Sequence, residues 1–434
     1  MVLHQQEEQF FQHQQSTTLP SLLVSKTGAK VDGLFVPHCN FGTEYEVCRL
    51  AKKLNVPVLL WGPRDECPDE NGMRLRDSQC GLFATGKVLR RFGIPFTYLK
   101  NCNLEDECFA EGIDRFLRVC NVVKAFRNTR VLQISTRPFD FWSTMCNEGE
   151  LLEKFGIQLS PIPMPELTQA MKDVKENSPE EIKEVTDYCR EKMCIKVTPE
   201  QLDNVAALKI AMTRLGKKYG CNCGAIQCWN ALQDEIGIMP CAANALCNDE
   251  GFPIACETDI HGTITSVLVE AAAMGETRSF FADWTVRHPY NDNAELLQHC
   301  GPWPISIAKE KPTIDTPVAF DCSGSLMAQA KDGEHISLVR FDGDNGEYSL
   351  LLGNAKTVDG PYTKGTYMWV EVENLDRLED KLVQGPYIHH CVGVHQDVVP
   401  VLYEACKYIG VTPDLYDPIE EKVKAIIRGE KVEK

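Results

Sequence analysis

The sequence predicts an α/β protein: two doubly wound α/β domains followed by a C-terminal antiparallel, β-rich, barrel-like domain. Three observations carry this. From Gly33 to Val123, short apolar runs alternate with segments of helical period. A second series of the same kind begins at Arg130. After about residue 300 the segments turn short and alternating, separated by Asp-Gly or Gly turns. Strands alternating with helices build parallel β-α-β units, whereas strands joined by tight turns pair antiparallel.

The elements follow in order. Residues 1–29 are glutamine-rich and aperiodic and read as a loose extension or a first helix. The run Gly33-Leu34-Phe35-Val36-Pro37 suits a buried strand. Val47, Leu50, Ala51 and Leu54 recur at i, i+3, i+4, i+7 and mark one face of a helix. A strand over 58–61, a helix over 78–91 and a strand over 96–99 come next. Phe109, Ile113, Phe116, Leu117, Cys120 and Val123 line a further helix. The second series opens with a strand over 130–134. Thr198 and Pro199 look like an N-cap with its first-turn proline, opening a helix to about residue 217. Strands over 225–229 and 252–256, a helix over 262–273 and a strand over 278–284 complete the series. HISLVRFD, YSLLLG and YMWVEVE supply the antiparallel part. The expected divisions are therefore an extension at 1–29, an N-terminal α/β domain at 30–128, a central one at 129–275 and the β-rich domain at 276–434.

Composition narrows the function. Against 45 Lys and Arg stand 62 Asp and Glu, a net charge of −17, which repels nucleic acid and anionic membrane surfaces. No apolar run reaches the ~18 residues of a membrane span. The start, MVLHQQEEQFF, lacks the basic and apolar regions of a signal peptide. The 20 cysteines include no C-x-x-C pair and read as reduced, mostly buried thiols, which points to the cytoplasm. No G-x-G-x-x-G, phosphate loop or G-x-S-x-G is present, so dinucleotide binding and the common hydrolase elbow have little support.

Two carboxylates stand where an α/β protein places its chemistry. Glu257, in CETDIHG, directly follows an expected parallel strand, and ligands of open α/β sheets gather at strand carboxyl ends. Its alternative reading is a helix-dipole partner. Asp283, in FFADWT, ends the next apolar strand, and the two could converge to hold a hard cation. His389 and His390, in YIHHCVGVH, would point to opposite faces if both lay on one strand, so at most one would face such a site. His299, His261 and His288 are weaker candidates.

Several long motifs resemble the L-fucose isomerase-like family. They are FVPHCNFGTEYEVCRLAKKLNVPVLLWGPRDE, LRDSQCGLFATGKVLRRFGIPFTYLKNC, VLQISTRPFDFWSTMCNEGELLEKFGI, GAIQCWNALQDEIGIMPC, ACETDIHGTITSVLVEA, SFFADWT and IHHCVGVH, in the family's own order from about residue 30 onward. The resemblance implies an aldose–ketose isomerase, an intramolecular oxidoreductase acting on an L-fucose- or L-arabinose-like sugar through an enediol. It implies Mn²⁺, or another divalent cation such as Mg²⁺ or Co²⁺, held by Glu257, Asp283 and His390, with His299 as a further ligand of the arabinose isomerase kind. Glu257 and Asp283 would double as acid/base groups, and Gln227, Trp229, Arg137 and His389 would contact the sugar. A homo-oligomer, trimer or hexamer, is implied, with a monosaccharide as the small-molecule partner.

Two departures stand out. The glutamine-rich start replaces the family's usual first strand and helix, and Asp397 stands where the family usually has a second downstream histidine. A different sugar, one with an acidic substituent met by Arg64, Arg76 or Arg137, is therefore an alternative, as is a non-catalytic sugar-binding protein on the same fold.

Overall fold

The computed structural model describes residues 30–317 and 321–432; the glutamine-rich extension at 1–29 lies outside them. The chain divides into two compact units, one comprising Met1–Lys124, Tyr403–Gly410 and Glu420–Lys434, the other Ala125–Leu402 and Val411–Ile419.

The first unit holds a three-stranded parallel sheet, β1 (Leu34–Pro37), β2 (Val58–Trp61) and β3 (Thr97–Tyr98), in that order. Its helices include α1 (Glu44–Leu54), α2 (Ser78–Arg91) and most of α3 (Glu107–Arg127). Side chains of β2 alternate between two cores. Val58 and Leu60 join Cys48, Ala51, Leu82 and Leu89, while Leu59 and Trp61 join Leu99, Phe116 and Cys120. A strand covered on both faces needs apolar residues at every position, which is why β2 reads Val-Leu-Leu-Trp without a polar break.

The second unit contains two sheets. A four-stranded parallel sheet runs in the order β5 (Gln158–Ile162), β4 (Arg130–Ile134), β7 (Cys223–Ile226), β8 (Ile254–Ala255). Helices α4 (Met164–Asn177), α5 (Pro179–Lys192), α6 (Pro199–Tyr219), α7 (Ala231–Ile236) and α8 (Cys241–Asp249) connect and cover it. At the start of α6, Thr198 and Gln201 exchange hydrogen bonds of 3.2 and 3.0 Å, the reciprocal box that satisfies otherwise orphaned N–H groups.

A ten-stranded sheet makes up most of the rest. It includes β9 (Phe280–His288), β10 (Asn291–His299), β13 (Ile336–Asp344), β14 (Glu347–Val358), β15 (Thr366–Glu371) and β16 (His390–Val394). Most pairings are antiparallel, but β6 (Cys194–Ile195) runs parallel to β11 (Thr313–Asp315), β12 (Ser325–Gln329) to β15, and β17 (Thr412–Leu415) to β14. The extra pairing of β14 with β15 closes the hydrogen-bonded path β14-β13-β16-β9-β10-β15 onto its first strand.

Helix α9 (Ile260–Ala272) lies between the two sheets of this unit. Nearly every one of its residues is buried, as expected of a helix apolar on all sides. Its two threonines reach both neighbours. Thr263 Oγ1 donates to the Gly224 carbonyl of β7, and Thr265 Oγ1 accepts from the Phe341 amide of β13. Among the described residues no helix is long and apolar enough to cross a membrane.

Candidate metal and active site

Glu257 lies just past the carboxyl end of β8, on a turn that brings β8 into α9. Both Glu257 and Thr258 adopt left-handed backbone, φ 52° and 54°, a costly conformation for residues with a Cβ. The turn is held by the Thr258 amide donating to the Ile226 carbonyl and by Thr258 Oγ1 donating to the Thr136 carbonyl. The result aims the Glu257 side chain inward, where it is 4% exposed.

Its two oxygens have different surroundings. Oε1 accepts from the Trp229 indole N–H at 3.1 Å and from the Cys228 thiol at 3.2 Å. Oε2 is buried and accepts no hydrogen bond. Asp283 Oδ1 is buried and unpartnered in the same way.

Asp283 reaches this point from the other sheet. The expected strand over 278–284 continues to His288, so Asp283 stands inside β9, and the two carboxylates come from different sheets rather than from successive strand ends of one layer. Across the ladder Asp283 is directly opposite His390, the first residue of β16, so the two share a face. His389 precedes that strand, so alternation does not turn it away. Ligand atoms of Asp283, His389 and His390 all lie within 4.8 Å of one another. The expectation that at most one of the pair approaches the site is corrected on that ground. His299, the last residue of β10, completes the group.

The distances describe a ring. His299 Nε2 is 3.5 Å from Glu257 Oε2 and 3.8 Å from Asp283 Oδ1; His390 Nε2 is 3.6 Å from Asp283 Oδ1 and 4.0 Å from Glu257 Oε2. Two bare, buried carboxylate oxygens facing imidazole nitrogens fit a divalent cation: oxygen and imidazole ligands suit Mn²⁺, Mg²⁺ and Co²⁺. Two thiols, Cys228 and Cys256, lie beside Glu257. Burial pushes Cys228 well above the usual thiol range; Cys256, where the hydrogen bond with Cys228 pulls the other way, is raised by burial to about 12. Both therefore stay protonated.

Electrostatics follow the geometry. Burial works to raise the Glu257 pKa, but His299 and His390 together hold it below the ordinary carboxylate value. Burial opposes charge on His299 as well, yet Asp283 and Glu257 push its pKa up to about 10. For His389, burial and then His390 lower the pKa.

Behind His390 runs a buried ionic chain. His390 Nδ1 lies 2.7 Å from Asp259 Oδ2, which pairs with Arg340; Arg340 also pairs with Asp342, whose Oδ1 lies 2.8 Å from His261 Nδ1. Against the cost of burial, Arg340 and His390 hold the Asp259 carboxyl well below the usual range. Asp259 is therefore the acceptor and His390 Nδ1 carries a proton, which turns Nε2 toward the site. Asp259 also caps α9 by accepting from the Gly262 amide.

The sugar-contact candidates divide. Gln227, just past β7, accepts from Ser135 Oγ through Oε1 at 2.8 Å. Trp229 is fastened to Glu257 as described. The loop after β4 covers the group: Phe141 stacks on His390 with ring centroids 5.6 Å apart and also contacts Trp229 and His389. Arg137 on this loop donates from Nη1 to the carbonyls of Pro138 and Phe139 and meets no carboxylate among the described residues. Arg76 is engaged in the first unit by Glu66 and Asp65, and Arg64 there is exposed. His261 stands at the far end of the ionic chain, and His288 at the end of β9 faces the Asp359 carbonyl. Asp397 accepts from the Asn354 amide nitrogen and the Val399 amide and so serves as a helix-start cap.

Comparison with known proteins adds a second line. Residues 11–127 match the family model described as Fucose/sulfoquinovose isomerase, N-terminal domain. The chain is 25% identical over 405 residues to a sulfoquinovose isomerase of Priestia megaterium, covering 92% of this chain and 88% of that protein. Over 357 residues it is 24% identical to a sulfoquinovose isomerase of Alkalicoccus urumqiensis, covering 81% of this chain and 79% of that protein.

Proposed function

Because the chain belongs to the L-fucose isomerase-like family, we propose that it is a divalent-metal-dependent isomerase interconverting an aldose and a ketose in the cytoplasm. The observation that carries this is the pair of bare, buried oxygens, Glu257 Oε2 and Asp283 Oδ1, facing His390 Nε2. Glu257, Asp283 and His390 would hold the cation. When bound, Mn²⁺ or a similar ion would polarise the sugar's carbonyl and adjacent hydroxyl.

The protein's own residues then account for the proton traffic. Isomerisation of the open-chain sugar through an enediol moves one proton from C2 to C1 and a second from the C2 hydroxyl to the C1 oxygen. Glu257 is suited to take the C2 proton, because Trp229 and Cys228 fix one oxygen and leave the other facing the site. Glu257 then hands that proton to C1, and Asp283, the more exposed of the two carboxylates, carries the hydroxyl proton between the two oxygens. Phe141 and Trp229 border the reacting carbons and limit water. Gln227 and His389 would contact sugar hydroxyls.

For the substrate we favour an aldose with an acidic substituent over a neutral L-fucose- or L-arabinose-like sugar. The named relatives support this, as does Arg137, a guanidinium on the site loop without a carboxylate partner among the described residues. The same reading keeps the three-domain division at 30–128, 129–275 and 276–434, and the closed path of strands from β14 to β15 supports a small barrel in the last. The deciding experiment is turnover of a panel of neutral and sulfonated aldoses with and without Mn²⁺. Metal-dependent ketose formation from at least one is expected. No turnover, with sugar binding retained, would favour a non-catalytic sugar-binding protein.

A further inference from the structure

We propose that Cys102, Asp106 and Cys108 form a site for a thiophilic divalent cation of the zinc type, built from other residues than the group at Glu257 and independent of the isomerase reading. The three stand in the first unit, on the loop that follows β3 and in the first turn of α3, in the spacing Cys-x3-Asp-x-Cys. One ligand atom of each, two sulfurs and a carboxylate oxygen, lies within 4.8 Å of the other two. Tetrahedral zinc with sulfur at about 2.3 Å needs ligand atoms roughly 3.8 Å apart, so small side-chain rotations complete the set. Sulfur ligands select zinc-like ions, whereas the carboxylates at Glu257 and Asp283 suit harder ones.

Packing explains the thiols but not the carboxylate. Cys102 and Cys108 join Leu59, Trp61 and Leu99 in an apolar cluster, where a thiol can serve as a small hydrophobic group. Asp106 has no such reason to approach two sulfurs, and among the described residues no Lys or Arg pairs with it. Its Oδ2 accepts from the Asn103 amide at 2.7 Å, which fixes the carboxylate and leaves lone pairs for a cation.

The ligands are carried on fastened backbone. Asn101 Nδ2 donates to the carbonyls of Gly62 at 2.9 Å and Pro63 at 2.7 Å, which ties the loop to the end of β2. The Asp106 amide donates to the Asn103 carbonyl at 3.3 Å and the Phe109 amide to the Asp106 carbonyl at 2.9 Å, so the turn passes directly into α3. The Trp61 indole N–H donates to Cys102 Sγ at 3.2 Å; such a bond orients the sulfur and favours its negative charge, as outer-shell donors do around a metal. Gly429 lies over Cys108 with φ of +84°, and a Cβ there would stand 3.1 Å from Cys108 Cβ. The Lys100 amide donates to the Arg428 carbonyl at 3.0 Å and holds this segment against the same loop. Cation binding forms two metal–sulfur bonds and one metal–oxygen bond, releases one proton from each thiol to solvent and leaves the fourth position to water. It would cross-link the loop to the start of α3 beneath Gly429.

The test reads metal–thiolate bonds. Full-length, fully reduced protein is titrated with Cd²⁺, a spectroscopic stand-in for Zn²⁺, while thiolate-to-cadmium absorption is followed in the ultraviolet. Zn²⁺ affinity is measured by competition with a chromogenic chelator. The parent should develop the absorption and lose it when Zn²⁺ displaces Cd²⁺. Cys102→Ser with Cys108→Ser should remove two thiolates' worth of it. Asp106→Ala, a change on the loop that leaves both thiols in place, should keep the absorption and weaken Zn²⁺ affinity by at least roughly 10-fold, the low end for loss of even an outer-shell partner. Zn²⁺ at about 100 times its Kd should raise the melting temperature of the parent more than that of the double serine variant. No absorption in the parent, or none lost in the double variant, overturns the proposal, the latter because the thiolates then lie elsewhere. Parent-level Zn²⁺ affinity in Asp106→Ala overturns it too, and decides the matter should the double variant fail to fold. A protein that binds Cd²⁺ through these thiols but isomerises no sugar loses the isomerase reading and keeps this one.

Discussion

Glu257 divides its carboxylate between support and chemistry: Oε1 is tied to Trp229 and Cys228, and Oε2 is left bare in a buried place. Glu257→Gln keeps the shape and most of the hydrogen bonding but removes charge and basicity. We expect unchanged folding by circular dichroism and a loss of isomerisation of at least roughly 10²-fold, the low end for a general base. Parent-level turnover would reduce Glu257 to a helix-dipole partner. His390→Ala should chiefly weaken metal binding and be partly rescued by excess Mn²⁺, seen as a raised metal concentration for half-maximal rate. Glu257, Asp283 and His390 were legible in the sequence because each sits in a distinctive motif. Asp259 and Arg340 were not. An aspartate before a helix reads as a cap, and the link to an arginine 81 positions away exists only in the fold. The available signal was Arg340 itself, a charge within the apolar strand HISLVRFD.

Glu295, on β10, shows a different use of burial. Its own burial, and then Glu379, raise its pKa from 4.5 to about 7, with Arg287 opposing. The folded chain thus holds this proton more tightly than the unfolded chain does. Stability from the neutral acid is complete below about pH 4.5 and is lost as pH rises towards about 7. Glu295→Gln should therefore melt higher than the parent at about pH 8, with the difference shrinking towards pH 4.5. A difference that does not change with pH would assign the effect to packing alone.

At the scale of elements, periodicity located the helices and strands of the first unit well, since β2 and α2 span the expected 58–61 and 78–91. It overextended β7 and β8, which end at Ile226 and Ala255. The apolar residues that follow gather around Glu257 rather than pair in a ladder, Cys228 and Cys256 buried and Trp229 half-buried. The helices α4 and α5 and those over 375–384, 399–409 and 420–428 are not expected from the sequence, whose last third reads as strands. The Thr198 cap was legible because both partners lie within four residues. Thr198→Ala should destabilise the chain by about 1 kcal/mol, the usual worth of an N-cap, read as a lower denaturant midpoint. An unchanged midpoint would mean that packing of α6 makes the cap redundant.

At the scale of the whole molecule, apolar exposure argues for assembly. On the loop that covers the site, Phe139 is 90% exposed and Trp142 67%, while Phe141 between them packs on His390. In the first unit Phe41, Tyr45 and Phe83 are also exposed. Aromatic side chains gain most by leaving water, and such residues in groups mark surfaces that another chain covers. A charge of −17 disfavours indiscriminate aggregation, so the association expected is a closed and specific one. We propose a homo-oligomer, a trimer or hexamer. Light scattering at micromolar concentration should give a mass three or six times the 48.7 kDa of one chain. Phe139→Ser with Trp142→Ser should shift the mass downward and lower activity together, because the same loop carries Phe141 and Arg137 over the site. A fully active 48.7 kDa species would show that the loop needs no partner and that its aromatic residues serve the substrate instead.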